Sequence, residues 1–363
     1  MDHSGRLRWL QAALPDNKLD LLLVTHLPNV RYLCGFAGSA GALLVGNPGA
    51  TFFTDGRYIA QARAEVSGAR IVIGLKAPFL AAAESLAGSS ARRAGKQVLG
   101  IEGESMPVAA RDRIAAVLAS RFKLRSAPPL VERARMVKDA EEISCIRRAV
   151  EIGAELLPIL RKRIRPGTSE VEVAAAMEYE ARCAGVEGMS FSTIIASGKR
   201  SAAVHGRASD AAIPRRGFVV CDFGVILAGY CSDRTRTVHV GRPSRAARDL
   251  YEAVLEAQQA AIRSVRAGVT AGEVDEAARA LLRKRRLARY FTHSTGHGLG
   301  LEIHEAPRLA AAQTQTLEPG MVITIEPGAY LPGKWGVRIE DVVVVTPSGR
   351  EVLSPGDKDL IVI

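Results

Sequence analysis

Two short apolar strands in this chain carry acids where a buried strand should carry none. Phe218-Val219-Val220-Cys221-Asp222-Phe223 holds Asp222 inside it, and Tyr230-Cys231-Ser232-Asp233 opens the return strand after the turn Leu227-Ala228-Gly229. The midpoint of 222 and 233 is 227.5, inside that turn. A regular hairpin therefore sets the two aspartates face to face, with Cβ atoms about 4.5–5.5 Å apart. The same construction recurs in Val322-Ile323-Thr324-Ile325-Glu326 and Val337-Arg338-Ile339-Glu340-Asp341, where 326 and 340 are centred on Gly333 of the turn Pro332-Gly333-Lys334. Four such carboxylates, buried without compensation, cost several kcal/mol each. Bound divalent cations resolve the conflict; the alternative is that each pair is edge-exposed and simply solvated. Oxygen-rich sites with a histidine suit Mn, Co, Zn or Fe(II), in a two-metal arrangement.

Four of the seven histidines lie near glycine-rich or strand-like segments. Thr292-His293-Ser294-Thr295-Gly296-His297-Gly298-Leu299-Gly300 holds two of them at the i,i+4 spacing of a zinc-binding helix. His-Glu-x-x-His is absent, however, and three glycines forbid a stable helix. The glycines instead let backbone approach a ligand or metal closely. His304 follows in Glu302-Ile303-His304-Glu305, and His205 is isolated in Ala203-Val204-His205-Gly206-Arg207. A lone histidine is more often structural. The four-carboxylate context moves His297 and His304 away from that reading.

Residues 1 to about 128 alternate apolar runs with amphipathic stretches, as in an α/β domain. Leu21-Leu22-Leu23-Val24, Ile71-Val72-Ile73 and Val98-Leu99-Gly100-Ile101 read as strands, and Asn47-Pro48-Gly49 as a hairpin turn. Ser126-Ala127-Pro128-Pro129 is the clearest punctuation, so domains are expected at 1–128 and 129–363. A helix capped by Asp139 is predicted to run to about Arg163, and Thr168 to cap the next. Residues 189–240 read as strands, 244–267 and 271–288 as helices, and 290–346 as strands again. The second domain is thus two helices then strands, twice.

The net charge of +11 raises the question of nucleic acid. Its clusters, Arg161-Lys162-Arg163-Ile164-Arg165 and Arg283-Lys284-Arg285-Arg286, read more simply as solvated C-terminal helix ends. No apolar run reaches the ~20 residues of a membrane helix. Asp16, Asn17, Lys18 and Asp20 break up any signal-peptide core. The five scattered cysteines, with no C-x-x-C, fit a reducing, cytoplasmic setting. Cys221 and Cys231 read as buried packing.

The set Asp222, Asp233, His297, Glu326 and Glu340 closely resembles the five-ligand pattern of the pita-bread metallopeptidases, which include methionine aminopeptidase, aminopeptidase P and prolidase. Ser232-Asp233-Arg234-Thr235-Arg236-Thr237, Ser294 to Gly300, Thr324-Ile325-Glu326-Pro327-Gly328 and Val337 to Asp341 resemble the proline-specific branch. Asn29-Val30-Arg31-Tyr32-Leu33-Cys34-Gly35-Phe36-Ala37-Gly38-Ser39 looks like that branch's creatinase-type N-terminal domain. The resemblance implies an α/β creatinase-like N-terminal domain and an α+β pita-bread C-terminal catalytic domain. It implies that Asp222, Asp233 and Glu340 hold one or both of two divalent ions, with Asp233 and Glu340 bridging. His297 and Glu326 would complete the second metal. His205 and His304 resemble histidines that contact substrate and the tetrahedral intermediate, and His293 a further active-site histidine. Arg338 resembles a group that orients a ligand carboxylate. Arg234 departs from the pattern, since an aliphatic residue is common there. It is expected to point to the other strand face with little effect.

The implied activity is exopeptidase hydrolysis of N-terminal Xaa-Pro bonds by a metal-bridged hydroxide. Manganese or cobalt are the expected ions, with zinc or iron as alternatives. His304 would support the oxyanion, and Glu326 would shuttle a proton to the leaving nitrogen. Small proline-containing peptides are the expected partners of a homodimer that binds neither nucleic acid nor membrane. The alternative is a non-enzymatic pita-bread module that binds protein or nucleic acid, favoured only by the charge.

Overall fold

The helix after Asp139 begins with a reciprocal cap. The Asp139 carboxylate accepts from the Glu142 N–H while the Glu142 side chain accepts from the Asp139 N–H, and the helix runs Ala140–Arg163. The next helix, Glu170–Cys183, is capped one residue later than the sequence suggests, by Ser169 rather than Thr168. Glu172 supplies the reciprocal acceptor three residues on, which only Ser169 can use in this frame. Arg245–Ser264 and Ala271–Lys284 form the second helix pair, each shorter than predicted at its C-terminal end. Beyond the latter, Arg286 turns left-handed (φ 61°). Both basic clusters do lie at helix C-terminal ends.

The computed structural model describes residues 1–88, 96–118 and 121–363. It divides into two compact units, Met1–Arg135 and Met136–Ile363. The first is α/β. Its six-stranded sheet runs, edge to edge, Arg70–Gly74, Ala50–Asp55, Ala42–Gly46, Leu21–Val24, Gln97–Ile101, Phe122–Ser126. Leu23, Phe53, Leu99, Ile114 and Phe122 pack in its core with the flanking helices.

The second unit is α+β. Each helix pair closes one apolar core against strands. Leu156, Leu160, Val173 and Met177 meet Val219, Cys221 and Phe223. Val274, Ala278 and Leu282 meet Ile323, Ile325, Val343 and Val345. One sheet orders Arg234–Val240, Gly217–Phe223, Ile194–Ser197. Another orders Glu305–Leu309, Gly296–Gly298, Val322–Ile325, Asp341–Thr346, Gly349–Val352. The acids singled out in the sequence sit where these strands end. Cys221 and Cys231 are buried, and burial pushes both thiols well up. Among the described residues no helix is long and apolar enough to cross a membrane.

Candidate metal and active site

The first hairpin departs from the expected register. Asp222 lies opposite Thr235, and Leu227 opposite Tyr230. Leu227 therefore belongs to the ladder, and the turn is Ala228-Gly229 alone, both with positive φ (50° and 81°). That is the primed two-residue turn that matches strand twist. Asp222 and Asp233 are diagonal neighbours rather than directly opposed. The slip is two residues, so side-chain parity is preserved and both acids still face the same way. Regular pairing is interrupted at Gly224 and Ser232-Asp233, where a side chain on Gly224 would run into the Ser232 carbonyl.

The second hairpin keeps one register on both sides of its gap. Ile325 lies opposite Asp341 and Gly328 opposite Arg338. Continuing that pairing sets Glu326 opposite Glu340, around the turn at Gly333 (φ 71°). His297 is delivered by the short strand Gly296–Gly298. A Cβ on Gly296 would strike the Thr324 carbonyl, and one on Gly298 the Ala306 carbonyl. Glycine on both sides is what lets this strand pack so closely.

Asp233, His297 and Glu340, all buried, have ligand atoms within 4.8 Å of one another. His297 Nε2 lies 3.5 Å from Asp233 Oδ2 and 3.6 Å from Glu326 Oε1. With Nδ1–H donated to the Gly298 carbonyl at 3.0 Å, Nε2 presents its lone pair to the carboxylates. Asp222 Oδ1, Asp233 Oδ1 and Glu340 Oε1 are buried with no hydrogen-bond partner among the described residues. Buried carboxylate oxygens left unsatisfied beside an imidazole lone pair are a donor set that fits divalent cations.

Arg338 organises the cluster from behind. It donates to Asp222 Oδ2 at 2.5 Å, Tyr330 Oη at 2.8 Å, Thr235 Oγ1 at 3.0 Å and the Val204 carbonyl at 3.0 Å. Thr235 in turn donates to Glu340 Oε2 at 2.8 Å. Burial works against the Arg338 charge, yet Tyr330, Asp222 and Glu326 outweigh it and hold the guanidinium above its usual value. Tyr330 passes the chain on to His293 Nε2 at 3.0 Å. Burial, and then Arg338, push His293 down to about 4, so it is neutral at working pH. His304, whose ring centroid is 4.4 Å from that of His297, is also pushed down by burial and by His297.

A cavity of about 720 Å³ is lined by Asp222, Asp233, His297, Glu326 and Arg338 together with His205, His293 and His304. Glu340 sits just behind, 1% exposed. Sequence reasoning missed several residues here. Thr235 shares strand parity with Asp233, a signal that was legible. Tyr330, Phe191, Arg207 and Arg308 left no motif. Two clamps outside the cavity were also missed. Glu170 accepts from Ser197, Arg200 and Ser209, bracketing the loop of His205. Asp275 and Arg279 hold Thr295, Phe291 and His293 through backbone and hydroxyl contacts.

Burial first, and then neighbouring carboxylates, hold Asp233 and Glu340 well above the ordinary carboxylate range. A raised carboxyl stabilises the fold below its unfolded pKa and loses that as pH rises through its folded value. The metal-free protein should therefore weaken toward alkaline pH, while the gain in Tm on adding Mn²⁺ should grow. Binding should also expel protons. Calorimetric titration at neutral pH in two buffers of different ionisation enthalpy should give different heats. Identical heats would contradict this electrostatic account.

The profile of "Metallopeptidase family M24" matches residues 144–347, and that of "Creatinase/Prolidase N-terminal domain" residues 6–137. A Pyrococcus horikoshii protein named Xaa-Pro dipeptidase is 37% identical over 346 residues, 95% of each chain. The solved Xaa-Pro dipeptidase from Bacillus anthracis superposes with TM-score 0.94 at 38% identity, covering 100% of both chains. The X-Pro aminopeptidase from Thermotoga maritima gives TM-score 0.89 at 34% identity, over 99% of this chain and 100% of that one.

Proposed function

The chain belongs to metallopeptidase family M24 and carries a creatinase/prolidase N-terminal domain, and from that premise we propose that it is an Xaa-Pro peptidase acting on short peptides, dipeptides first. Its α/β and α+β units have the creatinase-type and pita-bread folds. The observation that carries the reading is the convergence of Asp233, Glu326 and Glu340 on His297 with Asp222 lining the same cavity, where one oxygen each of Asp222, Asp233 and Glu340 lacks a hydrogen-bond partner among the described residues. A non-catalytic module has no reason to maintain so costly an arrangement.

Asp222, Asp233, His297, Glu326 and Glu340 would hold two divalent ions, with Asp233 and Glu340 shared. Such ions supply positive charge that polarises a carbonyl and lowers the pKa of water toward neutrality. The protein's own groups do the rest. Arg338 fixes the Asp222 and Glu340 carboxylates, the latter through Thr235. Glu326, raised by burial, is suited to carry a proton to the leaving proline nitrogen. Neutral His304 offers an N–H to the developing oxyanion, and His205 faces the peptide from its exposed loop. An Xaa-Pro nitrogen is a tertiary amide within a ring, a shape general peptidases handle poorly.

Arg207 and Arg308 bring two cations to the cavity wall. They suit the C-terminal carboxylate of a short peptide, which favours dipeptides. The homologues named dipeptidases support the same choice. Manganese or cobalt as the native ions and a homodimer rest on the family resemblance. A cytoplasmic setting fits five free cysteines.

The test digests Gly-Pro beside an Ala-Pro-Xaa tripeptide with manganese or cobalt added. Gly-Pro should be cleaved at least about tenfold more efficiently, and Arg308→Ala should raise its KM about tenfold, the worth of one charge-assisted contact. Preference for the tripeptide would overturn the dipeptide assignment. Cleavage of neither, with DNA binding that falls steeply with salt, would favour the binding-module reading.

A further inference from the structure

The strand that follows Asp233 has a second charged face. Side chains alternate along Arg234–Val240, so Thr235 and Thr237 face the carboxylates, while Arg234 and Arg236 face away. Both arginines are buried, at 3% and 2% exposure. Residues two apart on a strand lie side by side, roughly 7 Å apart along the chain.

Their partners can be counted. Arg236 Nη2 donates to Asp341 Oδ1 at 2.8 Å, and its Nη1 to the Thr235 carbonyl at 3.0 Å and to the Glu340 carbonyl. Asp341 Oδ2 is already taken by Gln258 Nε2 at 2.8 Å and by Lys358 Nζ. Arg234 Nη2 donates to the Pro355 carbonyl. That leaves Arg234 Nε, Arg234 Nη1 and Arg236 Nε buried with no acceptor among the described residues.

Buried charge is unbalanced in the same place. Arg236 and Lys358 pair with Asp341, the buried carboxylate here, and Arg234 lies within its field, with Arg161 adding further positive potential and Glu340 negative potential from the metal side. Asp357 and Asp359 also lie in this neighbourhood, but both are exposed to solvent. A water molecule would satisfy donors but not charge, and a buried guanidinium without a counter-charge is costly. A guanidinium keeps its charge at neutral pH. The C-terminal segment closes over the site, with a Cβ on Gly356 falling 3.6 Å from Arg234 Nη2. Three N–H donors suit a monatomic anion better than the several oxygens of a polyatomic one.

We propose that Arg234 and Arg236 form a binding site for a small monovalent anion of the halide class, on the far side of the strand from the metal ligands. The expectation that Arg234 points away from the ligands agrees with its placement.

Thermal unfolding of the metal-loaded protein tests this at constant ionic strength, with sodium bromide replacing sodium gluconate. Wild type should gain about 3 °C or more between zero and about 200 mM bromide, by mass action on the folded state. Arg234→Leu should lose that dependence. Crystals soaked in bromide should show an anomalous peak in hydrogen-bond reach of Arg234 Nε and Nη1 and Arg236 Nε. Equal stabilisation of wild type and variant would place the anion elsewhere and overturn the proposal. So would equal Tm in both salts with no peak, which would mean water alone meets these donors. Should Arg234→Leu not fold, Arg234→Met serves in its place, and the anomalous map on wild type decides independently.

Discussion

Asp233→Asn should remove bound metal and Xaa-Pro hydrolysis together, lowering kcat/KM by about a thousandfold or more, on the order of 4 kcal/mol of transition-state stabilisation. Asparagine keeps the size of the side chain but removes the charge. Asp233 is the acid nearest His297 Nε2, and it groups with His297 and Glu340 as candidate ligands. Its loss therefore strikes at both ions in the proposed scheme. The fold should not suffer. Burial already holds the metal-free Asp233 carboxyl toward its neutral form, so a neutral isostere relieves repulsion from Asp222 and Glu326. The metal-free variant should melt at or above the metal-free wild type. Metal analysis, proline release and Tm on one preparation check all three. Wild-type hydrolysis of an Xaa-Pro dipeptide by Asp233→Asn would sink the scheme.

Arg338→Met should give the largest loss of stability. Removing one member of a buried ion pair strands the other, at a cost of about 3–5 kcal/mol. Here the guanidinium is fully engaged, with Asp222, Tyr330, Thr235 and the Val204 carbonyl as acceptors. Methionine fills similar volume but leaves Asp222 facing Asp233 and Glu326 with no cation. For a catalytic unit of this size, the Tm of metal-free protein should fall by roughly 10 °C. Added metal should recover part of that fall by supplying positive charge to the same carboxylates. Arg338→Lys should fall between the two, since an ammonium keeps the charge but not the planar fork that reaches Asp222 and Tyr330 at once. A metal-free Arg338→Met protein melting within about 1 °C of wild type would refute this role, given the size of the expected penalty.

Much of the site was legible because its signals are local. An acid inside Phe218–Phe223 is anomalous without knowledge of any contact. The parity that aligns it with Asp233 has a period of two, so it survived a two-residue error in register. The turn was misplaced because Leu227 reads equally well as the end of a strand or the start of a turn. Positive φ at Ala228, a residue with no special preference for it, settled the matter. The second hairpin read correctly because Gly333 marks its centre. Thr168 and Ser169 are both acceptable caps, and only the reciprocal bond to Glu172 chose between them.

Of the supporting residues only Arg338 was singled out, through the family resemblance, and nothing in a linear sequence ties it to Asp222 in particular, 116 residues away. Tyr330 reads as an ordinary strand aromatic until its hydroxyl is seen between Arg338 and His293. Glu170 reads as a good first-turn acid, and its duty toward the loop of His205 depends on where that loop returns.

The sequence by itself determined that four acids end apolar strands, that the acids of each hairpin share a face, and that glycines flank His297. These follow from side-chain type and from the fixed periods of strand and turn, whereas the choice of His297 as the fifth ligand came from the family resemblance. Tertiary structure alone decided the register of the first hairpin, the Arg338–Tyr330–His293 relay and the burial of Arg234 beneath the C-terminal segment. Those depend on which distant surfaces pack together, and packing is settled by the whole chain's apolar burial rather than by any local pattern.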